Sequence, residues 1–270
     1  MDYVTVDDVS VPALGLGTYQ LRGQACRKTV SEALEIGYRH IDTAEYYNNQ
    51  REVGDAIADA DVARDEIFLT TKVWRSNLQY DQVLQSAHES LDKLGLEYVD
   101  LLLIHWPSRT VPVEETLDAM TQLHKDGKAR HIGVSNFSVS QLQEARQVSD
   151  VPIFTDQVKY HPFNGQADLV DFCIENDVML TAYSPLAKGK VVGDETLTTI
   201  GDRYGKSASQ VALRWLVQQD MVTAIPKASS REHLRENIDI FDFELTDEEM
   251  TQVFDLHGGV GGKLRKWLGL

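Results

Sequence analysis

Four residues in the first half of the chain, Asp42, Tyr47, Lys72 and His105, carry groups suited to acid–base chemistry. Taken singly, each has an ordinary explanation. An Asp after an aliphatic run caps a helix, a Lys is a solvated charge, a His satisfies the core and a Tyr packs. Together they describe an acid. A phenol with an ordinary pKa of about 10 becomes a better proton donor near neutrality when a cation stands beside it, and Lys72 supplies that cation. Asp42 holds the ammonium by a charge-assisted hydrogen bond, while His105 hydrogen-bonds and orients a substrate oxygen.

Side chains so far apart in sequence meet only where their segments lie side by side. Short β-branched or aliphatic runs occupy 13–16, 38–42, 67–72, 99–105, 129–135, 154–157, 178–183 and 223–226. Helical apolar spacing separates most of them, at 24–35, 81–94, 113–125, 138–147, 167–175 and 207–219. Parallel strands need such crossovers, and residues 99–104 are apolar at nearly every position, as strands covered on both faces are. Eight β/α units in about 250 residues predict an α/β fold of the closed (β/α)8 TIM-barrel type. In that fold catalytic groups gather at the carboxyl ends of the strands. The second run ends at Asp42, the third at Lys72 and the fourth at His105, with Tyr47 in the loop after Asp42.

The competing architecture is an open, doubly wound sheet. Gly15-Leu16-Gly17 follows a strand and precedes a helix, but Gln20 stands where a dinucleotide fingerprint needs its third glycine, so the fingerprint is rejected. Residues 3–6 and 9–11 flank Asp7-Asp8 as a β-hairpin that plugs the amino-terminal end of the barrel. Helices are expected at 231–237 and 247–256, the latter an extra C-terminal helix opened by Thr246 with Glu249 in a capping box. The remaining tail, 258–270, is short and glycine-rich, which predicts an open pocket and broad specificity. No linker interrupts the chain, so residues 1–270 read as a single domain.

Composition narrows the partners. Forty-two acidic against 26 basic residues give a net charge of −16. This repels nucleic acid and anionic membranes and fits either a plain solvated surface or adaptation to a salt-rich cytoplasm. No run reaches the roughly 18 to 20 apolar residues of a membrane span, and no signal core is present, so a cytoplasmic protein is expected. Cys26 and Cys173 have neither metal nor redox spacing and read as free thiols. Nothing demands a protein partner, and a monomer is the default.

The motifs carry a further implication. The segment from Gly37 through Asp42, Glu45, Tyr46 and Tyr47 to Asn49 resembles the first signature of the aldo-keto reductase family, in its bacterial and archaeal form. Thr70-Thr71-Lys72-Val73-Trp74 and the stretch from Tyr98 to His105-Trp106-Pro107 resemble the segments carrying that family's catalytic Lys and His. The resemblance covers essentially the whole chain. It implies hydride transfer from a nicotinamide cofactor to a small carbonyl compound, with Tyr47 as proton donor and no metal.

By the same resemblance Ser135, Asn136 and Gln157 bind the nicotinamide carboxamide, to which hydroxyl and amide groups are chemically suited. Tyr183 stacks on the nicotinamide ring, and Ser184 with Leu186 begins the loop across the pyrophosphate. Tyr19, Trp74 and Trp106 line the carbonyl pocket with His105, Tyr19 standing where Trp or Phe is common. Lys227 and His233 fall at the 2′-phosphate positions, and Glu236 with Asn237 at the adenine site. Ala228 replaces a frequent serine, and His233 replaces a usual arginine, exchanging a permanently charged bidentate donor for an imidazole. NADP(H) is the expected cofactor because Lys227 remains, with NAD(H) or dual use open. Two other classes compete: a Schiff-base aldolase acting through Lys72, and a nicotinamide-binding redox sensor without turnover.

Overall fold

Aliphatic runs become barrel strands here because both faces of each are covered. Phe68–Val73 and Val99–Ile104 are buried at every position. In the computed structural model, which describes residues 1–257, the chain opens with an antiparallel hairpin of β1 (Tyr3–Val6) and β2 (Val9–Pro12). Asp7 and Asp8 turn it, both at positive φ, as a two-residue hairpin turn requires.

The barrel follows as strands alternating with helices, with two helices in succession after β9 and two after β10. β3 (Leu16–Gly17), α1 (Gly23–Ile36), β4 (His40–Asp42), α2 (Gln50–Ala58), β5 (Phe68–Val73) and α3 (Tyr80–Leu94) form its first part. β6 (Val99–Ile104), α4 (Val113–Lys125), β7 (Ala129–Ser135), α5 (Val139–Val148), β8 (Ile153–Lys159) and α6 (Ala167–Glu175) continue it. β9 (Met179–Tyr183), α7 (Glu195–Tyr204), α8 (Ala208–Val217), β10 (Val222–Ile225), α9 (Arg231–Ile238) and α10 (Asp247–Asp255) complete the described chain.

The eight strands β3 to β10 pair in parallel and in sequence order. Closure comes from the segment around β3, where Gly15 N–H donates to Ala224 O at 2.8 Å, Ala224 N–H to Ala13 O at 2.8 Å and Gly17 N–H to Pro226 O at 3.0 Å. The sheet is thus a (β/α)8 barrel with a separate N-terminal hairpin, as expected. The hairpin is tied to the amino-terminal end of β4, where the His40 ring meets Pro12 O at 3.2 Å. His40 lies edge-on to Phe68, which stacks on Phe154 and fills that end of the barrel.

Strand and helix positions agree with the sequence reading to within a few residues, with two exceptions. Helices α2 and α7 were not anticipated, and both have a glycine inside. A Cβ at Gly54 would lie 2.0 Å from Leu94 O, and one at Gly201 would lie 2.3 Å from Lys206 O. Each glycine weakens its helix locally while allowing a close backbone approach that only the folded chain reveals. The capping box of Thr246 and Glu249 is present at α10. The stretch 258–270, read above as a glycine-rich tail, lies outside the described residues. No described helix is long and apolar enough to cross a membrane.

Candidate active site

The register of the strands carries the four acid–base residues to one place. Asp42 is the last residue of β4, Lys72 lies one residue before the end of β5, and His105 follows β6. Tyr47 closes a short 3-10 turn, Glu45–Tyr47, after β4. Asn48 ends this turn at φ 51°, and Asn49 pins it by donating to Thr18 O at 2.9 Å and Leu21 O at 3.1 Å.

Lys72 is the hub. Its Nζ donates to Asp42 Oδ1 at 2.6 Å, to Thr43 O at 3.0 Å and to Tyr47 Oη at 3.3 Å, and the side chain is fully buried. Burial lowers its pKa from the ordinary value of 10.5, opposed by the Asp42 charge and hydrogen bond. The second Asp42 oxygen accepts from Gln157 Nε2 at 2.7 Å across the barrel. Both carboxylate oxygens are therefore engaged.

One expectation is corrected. The cation does stand beside Tyr47, but the resting phenol is not acidified: burial, and after it the Asp42 charge, raise its pKa well above 10. Tyr47 thus keeps its proton throughout the neutral range. His105 behaves oppositely, burial and the Lys72 charge pushing it down to about 3, so its imidazole stays neutral. Its Nδ1 is buried without a hydrogen-bond partner in the structure.

Around these groups stands an aromatic wall. Tyr19 packs on Tyr47 with ring centroids 5.1 Å apart, and Trp74 meets His105 edge-on at 5.0 Å. Trp106 and Tyr19 are 40% and 47% exposed. Tyr46, which sequence reasoning passed over, stacks on Trp74 at 4.0 Å. Its only signal was its place beside Tyr47.

The residues assigned to the nicotinamide carboxamide also converge. Ser135 Oγ donates to Gln157 O at 2.7 Å, Asn136 Nδ2 donates to Ser135 Oγ at 2.9 Å and to His105 O at 3.1 Å, and Tyr183 Oη donates to Asn136 Oδ1 at 2.9 Å. Gln157 was expected at the carboxamide. Its amide N–H is also the second support of Asp42. Beyond β9, Ser184, Ala187 and Lys188 all have positive φ, a strained run of the kind that collects at functional loops, with Leu186 inside it. Lys227 and His233 are exposed, Asn237 is buried, and Glu236 accepts a hydrogen bond from Ser207 at 2.6 Å. Arg231 is paired with Glu35 on α1 at 2.6 Å.

Asp156 was not foreseen. It precedes Gln157 on β8, is fully buried, accepts a long 3.5 Å bond from Phe137 N–H behind the Ser135-Asn136 corner, and leaves Oδ2 unpartnered. Burial raises its pKa to about 8. The folded chain therefore holds this proton up to about pH 8, whereas the unfolded chain releases it near pH 3.8. Between those values the unfolded state binds fewer protons, so this group lowers stability as pH rises. Asp156→Asn keeps an acceptor for Phe137 and removes the titration. Its stability gain over the parent, read from denaturant midpoints, is expected to widen from pH 5 to pH 8.

A buried acid–base cluster at the carboxyl ends of adjacent strands stands where barrel enzymes of this fold carry their chemistry. A family model described as the Aldo/keto reductase family matches residues 13–257, and the chain belongs to that family. It is 42% identical over 246 residues to glyoxal reductase of Bacillus subtilis (strain 168), covering 91% of this chain and 88% of the relative. It is 38% identical over 266 residues to morphine 6-dehydrogenase of Pseudomonas putida, covering 93% and 90%. The crystal structure of an aldo/keto reductase from Brucella melitensis matches with a TM-score of 0.89 at 39% identity, covering 94% of this chain and 98% of that one.

Proposed function

We propose that the chain reduces aldehydes or ketones to alcohols with a nicotinamide dinucleotide as reductant and Tyr47 as the proton donor. The observation that carries this reading is Lys72, which bridges Asp42 and the Tyr47 hydroxyl from a fully buried position. Family membership, and relatives named as a reductase and a dehydrogenase, support interconversion of carbonyl and alcohol.

The residues at the mouth fit such a cofactor. Ser135, Asn136 and Gln157 present hydroxyl and amide groups on neighbouring strand ends, and the half-buried Tyr183 offers a ring surface beside them. Lys227 makes no ion pair among the described residues, and Ser184 and Leu186 belong to the strained loop. When bound, the reduced nicotinamide supplies a hydride to the carbonyl carbon.

The chain's own residues do the rest. The carbonyl oxygen sits at the neutral His105 and the Tyr47 hydroxyl, between Tyr19, Trp74 and Trp106. As negative charge grows on that oxygen, Tyr47 gives it the hydroxyl proton, and the Lys72 ammonium stabilises the tyrosinate left behind. A phenol with a raised pKa is a fully loaded donor that yields its proton only to a strongly basic alkoxide. Asp42 and Gln157 hold Lys72 in place.

The aldolase reading finds little support. A Schiff-base lysine needs a free, neutral amine, whereas all three donor positions of Lys72 point at protein oxygens. The decisive experiment is a cofactor-by-substrate kinetic matrix, in low and high salt, with NADPH and NADH against a panel of aldehydes and ketones. Oxidation of cofactor with alcohol formation is expected, with NADPH ahead of NADH. A tenfold or greater NADH preference would reverse the cofactor assignment, and no turnover on any carbonyl would favour the redox-sensor reading. Replacing the exposed His233 by Arg is expected to raise the NADPH preference roughly tenfold, by restoring a permanent bidentate donor.

A further inference from the structure

Glu45 takes no part in the chemistry described above, yet its carboxylate joins three segments of the site. It opens the turn that ends at Tyr47. Oε2 accepts from the Trp74 backbone N–H at 3.2 Å and from the Ser86 hydroxyl, while Oε1 accepts from the Asn77 side-chain amide. Trp74 and Asn77 belong to the loop after β5, and Ser86 is a buried residue of α3. Among the described residues Glu45 makes no ion pair, so neutral donors alone hold it.

What this carboxylate ties together is the pocket wall. Tyr46, next to Glu45, stacks on Trp74 at 4.0 Å, and Trp74 lies edge-on to His105 at 5.0 Å. Tyr47, two residues on, lies 5.6 Å from the His105 ring. The turn bearing the proton donor and the loop bearing the wall therefore share one anchor. Only a carboxylate offers acceptors on both of its oxygens; an amide of the same shape has one acceptor oxygen and turns a donor toward the other set of N–H and O–H groups.

We propose that Glu45 is a positioning residue that determines specificity for bulky carbonyl substrates, by clamping the Tyr46–Trp74 wall against His105. This rests on the reading of the chain as a carbonyl reductase. A substrate large enough to lean on the wall depends on the clamp. One too small to lean on it depends on it far less, and the Tyr47 turn keeps its other ties through Asn49 and Lys72, so proton transfer to either is largely preserved. Loss of the clamp thus removes binding that is equal in ground and transition states, which raises KM and leaves kcat alone.

The test uses the full-length protein with NADPH, 4-nitrobenzaldehyde as the bulky substrate and propanal as the small one. In Glu45→Gln, KM for 4-nitrobenzaldehyde is expected to rise roughly five- to twentyfold with kcat within about twofold. Propanal kinetics and KM for NADPH should stay within about twofold of the parent. Ser86→Ala removes one leg of the clamp and is expected to shift in the same sense by less. Equal losses on both aldehydes, or a fall in kcat with KM unchanged, overturns the proposal. If Glu45→Gln does not fold, Ser86→Ala decides: an unchanged KM for the bulky aldehyde rejects the clamp. A parent protein that turns over neither these aldehydes nor any other carbonyl of the panel refutes the carbonyl-reductase reading itself, a result distinct from parallel losses in the variants.

Discussion

Tyr47→Phe is expected to lower kcat for carbonyl reduction by roughly 10²- to 10⁴-fold, the range associated with loss of a positioned general acid. The affinity for nicotinamide cofactor should stay nearly unchanged. The substitution is close to a pure deletion of one oxygen. The ring contacts to Tyr19 at 5.1 Å and His105 at 5.6 Å persist, and Lys72 keeps its bonds to Asp42 and Thr43. One N–H of the buried Lys72 ammonium loses its acceptor, so stability is expected to fall by about 1–3 kcal/mol, and turnover measured on the folded variant reports on chemistry. Steady-state kinetics beside a cofactor titration by fluorescence separates the two effects. If turnover falls less than tenfold, proton delivery belongs to another group, and the neutral His105 imidazole is the nearest alternative.

Lys72→Met carries the second large effect, on stability as well as turnover. Removing the ammonium leaves the Asp42 carboxylate buried with only Gln157 as a polar side-chain partner. Breaking one member of a buried ion pair costs about 3–5 kcal/mol, because the remaining charge is neither paired nor solvated. Adding Asp42→Asn removes that charge while its amide oxygen still accepts from Gln157. The double variant is expected to regain most of the lost stability and none of the activity. Denaturant unfolding of the parent, both single variants and the double variant gives the coupling directly. A double variant no more stable than Lys72→Met would mean that packing around the methionine, rather than the stranded charge, sets the loss.

The two variants also separate roles that the four-residue cluster merges. Tyr47→Phe deletes the transferable proton and leaves the field of the ion pair intact. Lys72→Met deletes the field and leaves the proton in place. If both abolish turnover while the second destabilises the chain well beyond the first, Lys72 serves both the fold and the tyrosinate.

Much of this architecture was legible in the order of residue types. Eight aliphatic runs separated by helical spacing specify a barrel because a parallel strand buried on both faces must be apolar throughout, and its crossover must be amphipathic. Runs ending at Asp42, Lys72 and His105 place their side chains at one mouth because parallel strands present their carboxyl ends on the same side. Ser135, Asn136 and Gln157, which the family resemblance assigns to the carboxamide, meet because β7 and β8 are neighbours.

Other features were decided only when the chain closed on itself. Helices α2 and α7 contain glycines that argue against helix locally, and the reason for them, backbone atoms at Leu94 and Lys206, is distant or beyond the helix end. The second support of Asp42 comes from Gln157 across the barrel interior. The Glu45 clamp joins a turn, a loop and a helix that sequence order keeps apart. The state of the Tyr47 proton is set by burial and then by the Asp42 charge, both of which raise its pKa. Sequence by itself determined the barrel and brought the proposed acid to its mouth, since both follow from residue type and strand order. Tertiary structure alone decided how tightly that acid holds its proton and what fixes its surroundings, because desolvation and cross-barrel hydrogen bonds exist only once the core has formed.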